Sequence, residues 1–299
     1  MALLRALKAR KYHFVTPCPA THARVIARKQ EAADLRDIFG WSLPFEASQI
    51  DPTLLDLLFA IDAIEDADGI LKSRVRVSSL NEDLFLHSAY PTLAHDSVFF
   101  GPDSYRFAAF IAAELPRLGA VQHIVDIGTG SGVGALASAR VLGSAPRISV
   151  TDINTMALEF AAANLRASGI SNAVEFVNAS GLSAVDGTPD CIIANPPYIA
   201  DPSHRAYRDG GGMHGGELSV MWAREAAQRL DHGGAFLLYT GSAIVRGEDR
   251  LKAALFEALD GFDISYRELD PDVFGEELER ADYADVDRIA VVGVVAIKR

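Results

Sequence analysis

The sequence predicts an α/β protein whose mostly parallel sheet is covered by helices on both faces and preceded by a smaller α+β domain. The pattern changes near residue 95, so we expect two domains, over residues 1–95 and 96–299. In the second, short apolar segments alternate with helical ones, which is typical of parallel strands joined by crossover helices. Its first strand runs into a glycine-rich turn, and its last two strands are adjacent, which predicts an antiparallel hairpin at one edge.

The N-terminal segment contains helical patterns followed by alternating ones. Apolar spacing predicts one helix over residues 22–39, and a second that opens at Pro52 and carries its apolar stripe to Ile64. Alternation over residues 73–78 and a short strand over 83–87 predict a hairpin. Two helices followed by a hairpin suggest a winged-helix-like domain that recognises a substrate or has an accessory role.

The second domain follows from its apolar runs. We expect strands over residues 122–127, 147–153, 174–177, 191–194, 235–240, 262–268 and 288–298. We expect helices over residues 105–118, 133–142, 155–168, 217–230 and 249–259. The continuous Val, Ile and Ala runs indicate strands that are buried on both faces.

The composition is that of an ordinary globular protein, with 49% hydrophobic and 23% charged residues. The two cysteines, Cys18 and Cys191, form no disulfide framework, which favours a reducing compartment and a cytoplasmic protein. No apolar run approaches the length of a membrane span. The eight histidines lack zinc-like spacing, so we expect neither a membrane partner nor a metal.

The charge is unevenly distributed along the chain. Residues 1–30 hold seven of the 28 basic residues and no acidic one, so 21 basic residues face all 40 acidic ones over residues 31–299, a net charge of −19. An acidic body argues against a broad surface that follows nucleic-acid phosphates. The basic start is typical of a solvated, partly helical leader, although a nucleic-acid arm or a transit segment has a similar composition.

A glycine loop and a later acidic residue have the features of a nucleotide site. Residues 126–132 read Asp-Ile-Gly-Thr-Gly-Ser-Gly, and they join the first strand to a helix. The glycines remove the Cβ atoms where a ligand can lie against the backbone, and the helix start offers N–H groups. Asp152 ends the second strand, where a carboxylate can accept both hydroxyls of a ribose. The alternative is that Asp152 caps a helix, although Asn154 is better placed for that.

The most informative motif is Asn195-Pro196-Pro197-Tyr198, which follows an apolar strand. The prolines stiffen the backbone and remove two N–H donors, so Asn195 is held on a loop that moves little. Its amide can both donate and accept hydrogen bonds, and Tyr198 adds a flat face. This combination suits a planar group that bears an NH₂, such as a carboxamide or a nucleobase amine.

Together these motifs resemble the class I S-adenosylmethionine-dependent methyltransferases, over about residues 96–299. Within that class the similarity is to the Asn-Pro-Pro-Tyr branch, which methylates planar nitrogens: the side-chain amide of glutamine, N6 of adenine or N2 of guanine. The glycine-rich residues 208–216 further resemble the release-factor glutamine N5-methyltransferases, although the N-terminal domain differs. The resemblance implies a Rossmann-like seven-stranded sheet with an antiparallel edge hairpin, and S-adenosylmethionine as the cofactor.

The resemblance also implies roles for individual residues. The expected cofactor contacts are Asp126, Gly128, Thr129, Gly130, Gly132, Asp152, Ile153, Ser180 and Asn195. Ser180 replaces an Asp that the family usually places near the adenine amine. The expected catalytic residues are Asn195 and Pro196, whose oxygens accept the two N–H bonds of the acceptor, and Tyr198, which stacks on its plane.

Several alternatives remain open at this level. The acceptor is a release-factor-like protein, a structured RNA or another nucleobase substrate, or a small molecule. An NAD(P)-dependent oxidoreductase would use the same glycine loop, and a non-catalytic binding module would use the α/β domain as a metabolite sensor. Residues 99–105 line the cofactor pocket or dock the two domains against each other.

Overall fold

The computed structural model describes residues 1–29, 31–92, 94–143, 146–170, 172–203, 205 and 207–299. The helices are α1 Ala2–Ala9, α2 Pro19–Ile26, α3 Leu35–Phe39, α4 Pro52–Ala60, α5 Pro102–Glu114, α6 Val133–Leu142, α7 Thr155–Ala167, α8 Glu217–Arg229 and α9 Arg250–Ala258. The strands are β1 Phe45–Glu46, β2 Ile64–Ala67, β3 Ile70–Ser73, β4 Val75–Leu80, β5 Asp83–Ser88, β6 His123–Ile127, β7 Arg147–Asp152, β8 Val174–Asn178, β9 Cys191–Ala194, β10 Ala235–Val245, β11 Glu248–Asp249, β12 Phe262–Asp270 and β13 Val286–Lys298.

A mixed sheet of eight strands forms the centre of the molecule. Seven of them follow the order β12-β13-β10-β9-β6-β7-β8, and the two-residue β11 pairs with β10. The strands from β10 to β8 are mutually parallel, whereas β13 runs antiparallel to both β10 and β12. The predicted seven-stranded α/β sheet with an antiparallel edge hairpin is therefore confirmed, and β11 is a small addition.

The central strands are buried on both faces because helices cover each face of the sheet. Ile124 and Ile193 point into the core that contains α5 and α6 residues, while Val125 and Ile192 point into the core of α8 and α9. All four side chains are fully buried. This two-sided burial explains why these strands appear in the sequence as continuous apolar runs.

The N-terminal region has its own apolar core and differs from the prediction in two helices. The single helix expected over residues 22–39 is wrong, because α2 ends at Ile26 and Asp34 starts α3 by accepting hydrogen bonds from Arg36 N and Asp37 N. The second helix ends at Ala60 instead of reaching Ile64, which belongs to β2. Local capping and turn geometry thus overrode the apolar spacing.

The strands of the N-terminal region form two small sheets. β1, β3 and β2 make a three-stranded sheet, whose β2–β3 turn contains Asp68 and Gly69 at positive φ. An Asp-Gly pair between short strands is a strong hairpin signal, yet the expected elements did not include this hairpin. The hairpin expected over residues 73–87 is β4–β5, and it packs on α7.

One side chain ties the N-terminal region to the glycine loop. Asn164 of α7 accepts a hydrogen bond from Leu86 N at 2.8 Å and donates to Leu86 O at 3.0 Å and to Ser131 O at 2.9 Å. Asn164 is fully buried, so these bonds are shielded from water.

In the described part of the chain no helix is long and apolar enough to cross a bilayer.

Candidate active site

The parallel register brings three strand ends to one edge of the sheet. Ile127 at the end of β6 lies beside Thr151 of β7 and Ala194 of β9. The turns that follow these strands line a cavity of about 190 Å³. The expected site residues along its wall are Gly128, Thr129, Gly130, Asp152, Ile153, Ser180 and Asn195.

The glycine loop is shaped by close packing. Gly128 has φ +63°, and a Cβ there would lie 2.6 Å from Cη2 of Trp222 in α8. Gly132 has φ +82°, and its Cβ would lie 3.2 Å from Ala161 of α7, so this residue supports the loop without lining the cavity. Gly130, at φ +54°, has only the Gly128 carbonyl oxygen 4.0 Å from its Cβ position, so it leaves the cavity open.

Asp126 lies beneath the loop and does not line the cavity. It is 1% exposed and accepts hydrogen bonds from Thr129 Oγ1 at 2.7 Å and from Ala135 N at 2.9 Å. Burial raises the pKa of its carboxyl group to about 7. In the structure Asp126 therefore connects the loop to the first turn of α6.

Asp152 faces the cavity, and Asn154 caps the helix. Asp152 Oδ2 accepts a bond from Gly130 N at 3.0 Å, and its Oδ1 accepts one from Asn154 N at 2.9 Å. Asn154 in turn accepts from Met156 N at the start of α7. Burial raises the pKa of Asp152. Each carboxylate oxygen has further lone pairs, which suit the hydroxyls of a ribose.

A second cavity of about 100 Å³ adjoins the first. The two share four lining residues, namely Phe99, Asn195, Pro197 and Tyr207. Pro196 and Tyr198 line only the second cavity, so the tetrapeptide separates the two spaces and Asn195 lies where they meet.

Tyr198 is more enclosed than its expected stacking role implies. Its side chain is 7% exposed, and its ring meets the Phe274 ring edge-on at 5.7 Å between centroids. A Cβ at Gly241 would lie 2.2 Å from Tyr198 Cδ2, so β10 approaches the ring closely. Burial, and then the negative charge of nearby Asp103, raise the pKa of the Tyr198 hydroxyl. This hydroxyl has no partner in hydrogen-bond geometry among the described residues.

The glycine-rich segment holds the tetrapeptide in place. Gly210 N donates to Ile199 O at 2.9 Å, and a Cβ at Gly210 would lie 2.6 Å from Pro197 O. Gly215 has φ +97°, and its Cβ would lie 2.4 Å from the Tyr198 carbonyl. Because backbone lies against backbone here, only glycine can occupy these two positions without displacing the motif.

Sequence reasoning missed several residues of the second cavity. Asp103 is buried and accepts a hydrogen bond from Tyr239 Oη at 3.0 Å, and burial raises its pKa. Arg208 pairs with Glu277, and Phe274 closes the far wall. Arg208 lay in the glycine-rich segment and Asp103 within residues 99–105, but the sequence did not assign either side chain to this second cavity.

Residues 99–105 serve both of the roles that the sequence left open. Phe99 and Ser104 line the first cavity. Phe100 instead stacks on His87 of β5 at 5.2 Å and meets Tyr105 edge-on at the same distance. One segment thus lines the cavity and packs the N-terminal region against it.

The residues of the first cavity fit S-adenosylmethionine. Asp152 can take the ribose hydroxyls, and Gly130 leaves backbone accessible beside it. A cavity at the carboxyl ends of parallel strands is where open α/β folds bind nucleotide-like ligands, and a second cavity adjoins it here. The chain belongs to the methyltransferase small domain family, whose model matches residues 93–245. S-adenosylmethionine is the cofactor that this family membership indicates, and it replaces the nicotinamide alternative.

Curated relatives are similar over part of the chain. A release factor glutamine methyltransferase of Bradyrhizobium diazoefficiens is 34% identical over 146 residues, which cover 44% of this chain and 48% of the relative. A ribosomal protein L11 methyltransferase of Pelotomaculum thermopropionicum is 39% identical over 135 residues, covering 45% of this chain and 36% of the relative. The chain thus spans about half the length of these relatives or less.

A solved structure shows the same fold. The S-adenosylmethionine-dependent methyltransferase from Agrobacterium tumefaciens superposes with a TM-score of 0.50 at 13% identity. The match covers 81% of this chain and 78% of the other. At this identity the likeness supports the fold alone.

Among the described residues no group of three or more His, Cys, Asp or Glu side chains is arranged to hold a metal.

Proposed function

We propose that this methyltransferase modifies a planar nitrogen, and that its acceptor is the side-chain amide of a glutamine in a release-factor-like protein. The observation that carries this proposal is the position of Asn195 at the junction of the two cavities. A donor in the first cavity and an acceptor in the second would meet at this side chain.

The first cavity would hold the cofactor through the residues on its wall. Asp152 and Ile153 would contact the ribose, Ser180 the adenine, and Gly128 and Gly130 the methionine portion. Bound S-adenosylmethionine supplies an electrophilic methyl group on a sulfonium that leaves as a neutral thioether. Thr129 and Asp126 contribute indirectly, because their hydrogen bond fixes the loop.

Asn195 and Pro196 would orient and activate the acceptor. An amide nitrogen is a weak nucleophile because its lone pair is delocalised. The Asn195 side-chain oxygen and the Pro196 carbonyl would accept its two N–H bonds and stabilise the positive charge that develops on nitrogen. The prolines, together with the close contacts of Gly210 and Gly215 to the Pro197 and Tyr198 carbonyls, restrict the backbone that carries these oxygens before the substrate binds.

Asp103 would add a negative charge to the same cavity. Its carboxyl group lines the second cavity and is held by Tyr239. A carboxylate in a site with little water favours positive charge on a neighbouring nitrogen. After transfer, the nitrogen has exchanged one N–H bond for N–CH₃, and its proton leaves to solvent.

The charge of the chain supports a protein acceptor over a long nucleic acid. Residues 31–299 carry a net charge of −19, which repels phosphates. Part of the basic start is also folded, because Leu3, Leu4 and Leu7 of α1 are buried in the N-terminal core. Two relatives named for protein substrates point in the same direction.

Incubating the protein with radiolabelled S-adenosylmethionine in a bacterial lysate tests this proposal. We expect nuclease-resistant label in a protein, and peptide mapping should place the methyl group on a glutamine side chain. Label that disappears with nuclease would assign the acceptor to RNA or DNA instead. Label confined to the small-molecule fraction would also overturn the protein assignment.

A further inference from the structure

A third, smaller cavity lies between the N-terminal region and the start of α5. We name it the junction cavity. It has a volume of about 40 Å³ and shares only Phe99 with the methyl-transfer cavities. Its wall includes Pro19, His22, Arg76, His87, Tyr90 and Phe99.

The junction cavity contains a buried cation without a counter-charge. Arg76 is 5% exposed, its Nε donates to Gly40 O at 2.8 Å, and its guanidinium lies over the Phe14 ring at 5.6 Å. Its Nη2 atom is buried and has no hydrogen-bond partner among the described residues. Burial lowers the pKa of Arg76 to about 10, so it remains charged at neutral pH.

No acidic side chain neutralises Arg76. Within the described ranges it forms no ion pair, and the ionisable groups that act on its pKa are tyrosine hydroxyls, which are not carboxylates. The residues outside those ranges include neither Asp nor Glu. The missing negative charge therefore does not come from this chain.

His22 offers a second unused polar group on the same wall. It is 1% exposed, and its ring packs against Tyr90 at 4.0 Å and Trp41 at 5.4 Å between centroids. The ring interacts only weakly with the Trp41 backbone, and neither nitrogen completes a hydrogen bond within the described part of the chain. Burial lowers its pKa to about 4, so at neutral pH it is an uncharged N–H donor.

A buried cation without a partner is costly, and water alone does not remove the charge. A water molecule needs roughly 10–15 Å³ of such volume, so the junction cavity has room for about three waters or one carboxylate group. The amino end of α2, at Pro19, lies on the same wall and favours negative charge.

We propose that the junction cavity binds a small free carboxylate anion, held by Arg76 Nη2 and the His22 ring. The cavity has space for the charged group but not for a long chain attached to it. Because Phe99 lines this cavity and both methyl-transfer cavities, the anion would stabilise the position of Phe99 in the wall of the active site.

Thermal unfolding of the full chain tests this proposal, with formate as the probe and gluconate as the matched salt. Both are carboxylates, but gluconate is too large for the cavity, and exchanging one for the other keeps the ionic strength constant. For the wild type we expect a saturable rise in Tm of about 5 °C in formate. Equal Tm values in formate and gluconate would overturn the proposal.

Two variants locate the effect. Arg76→Met should lose the formate response while keeping a similar side-chain length. Arg74→Met is the matched control, because Arg74 is exposed, pairs with Asp62 on the surface and should keep the full response. A formate response of wild-type size in Arg76→Met would contradict the assignment.

A measurement on the wild type covers the case in which Arg76→Met fails to fold. The Trp41 ring touches His22, so its indole N–H resonance in ¹⁵N-labelled protein reports on the cavity. We expect a saturable shift of this resonance with formate and none with gluconate. An unchanged resonance over the whole formate titration would refute binding.

Discussion

The two methyl-transfer cavities are built in different ways. The first, of about 190 Å³, is formed largely by turns that directly follow three adjacent parallel strands. The second, of about 100 Å³, is assembled from three regions far apart in the sequence, represented by Asp103, by Asn195 with Arg208, and by Phe274. Short turns after strands leave local signals in a sequence, whereas contacts between distant segments do not.

The glycines show the same difference. Gly130 in the first cavity has a positive φ and an open Cβ position, so it shapes its own turn. Gly215 and Gly241 near the second cavity instead leave room for Tyr198, because a Cβ atom at either position would clash with that residue. The first cavity thus depends on local backbone geometry, and the second on the packing of one segment against another.

Replacing Asn195 should have the largest effect, because it should lower turnover in the second cavity without weakening cofactor binding in the first. We expect Asn195→Ala to lower kcat by about 100- to 1000-fold, because an oxygen aimed at the developing charge is lost. The affinity for S-adenosylmethionine should stay close to that of the wild type. Single-turnover kinetics and calorimetry measure the two quantities.

Asn195→Asp is the companion variant, since it keeps oxygen acceptors of the same size. It should retain more activity than Asn195→Ala. A wild-type kcat in Asn195→Ala would remove Asn195 from the mechanism.

Replacing Asp152 should affect the first cavity alone. Asp152→Ala removes the proposed ribose acceptor, and loss of hydrogen bonds to a charged group predicts an affinity about 10- to 100-fold weaker. Turnover at saturating cofactor should change much less. Asp186→Ala, at an exposed position, is the control. Unchanged cofactor affinity in Asp152→Ala would show that the ribose is held elsewhere.

Adding a methyl group at Gly215 tests whether the second cavity depends on packing. A Cβ at 2.4 Å from the Tyr198 carbonyl, at φ +97°, cannot be accommodated without moving the backbone. We expect Gly215→Ala to lose about 1–3 kcal/mol of unfolding free energy and to lower kcat. Gly275→Ala is the matched control, because nothing lies within 4 Å of its Cβ position. Equal stability and kcat in the two variants would argue against a packed tetrapeptide.

The last prediction concerns the pH dependence of stability that Asp126 causes beneath the glycine loop. Burial raises its pKa to about 7, above the ordinary value of about 3.9 that holds in the unfolded chain. Its contribution to stability is therefore fully present below about pH 4 and is lost as pH rises through about 7. From pH 5 to 7, the unfolding free energy of the wild type relative to Asp126→Asn should fall by about 2 kcal/mol in total, most steeply between pH 5 and 6. Denaturant unfolding across this range checks the slope, and a flat difference would contradict the raised pKa.

The sequence predicted the regular second domain well. The bounds of α6 and β9 match the expected ranges, because continuous apolar runs and flanking glycines or prolines mark their ends. The N-terminal helix expected over residues 22–39 failed because the side chain of Asp34 starts a new helix within that apolar pattern. Spacing alone does not show where a cap interrupts it.

The sequence by itself determined the fold class, the glycine loop, Asp152 and the tetrapeptide. Each of these is a local pattern that backbone sterics and strand burial produce within a few residues. Only the tertiary structure decided that Asn195 joins two cavities, that Asp103 and Phe274 face it, and that Arg76 is buried without a counter-charge. These features arise from contacts between segments tens of residues apart, which no local pattern encodes.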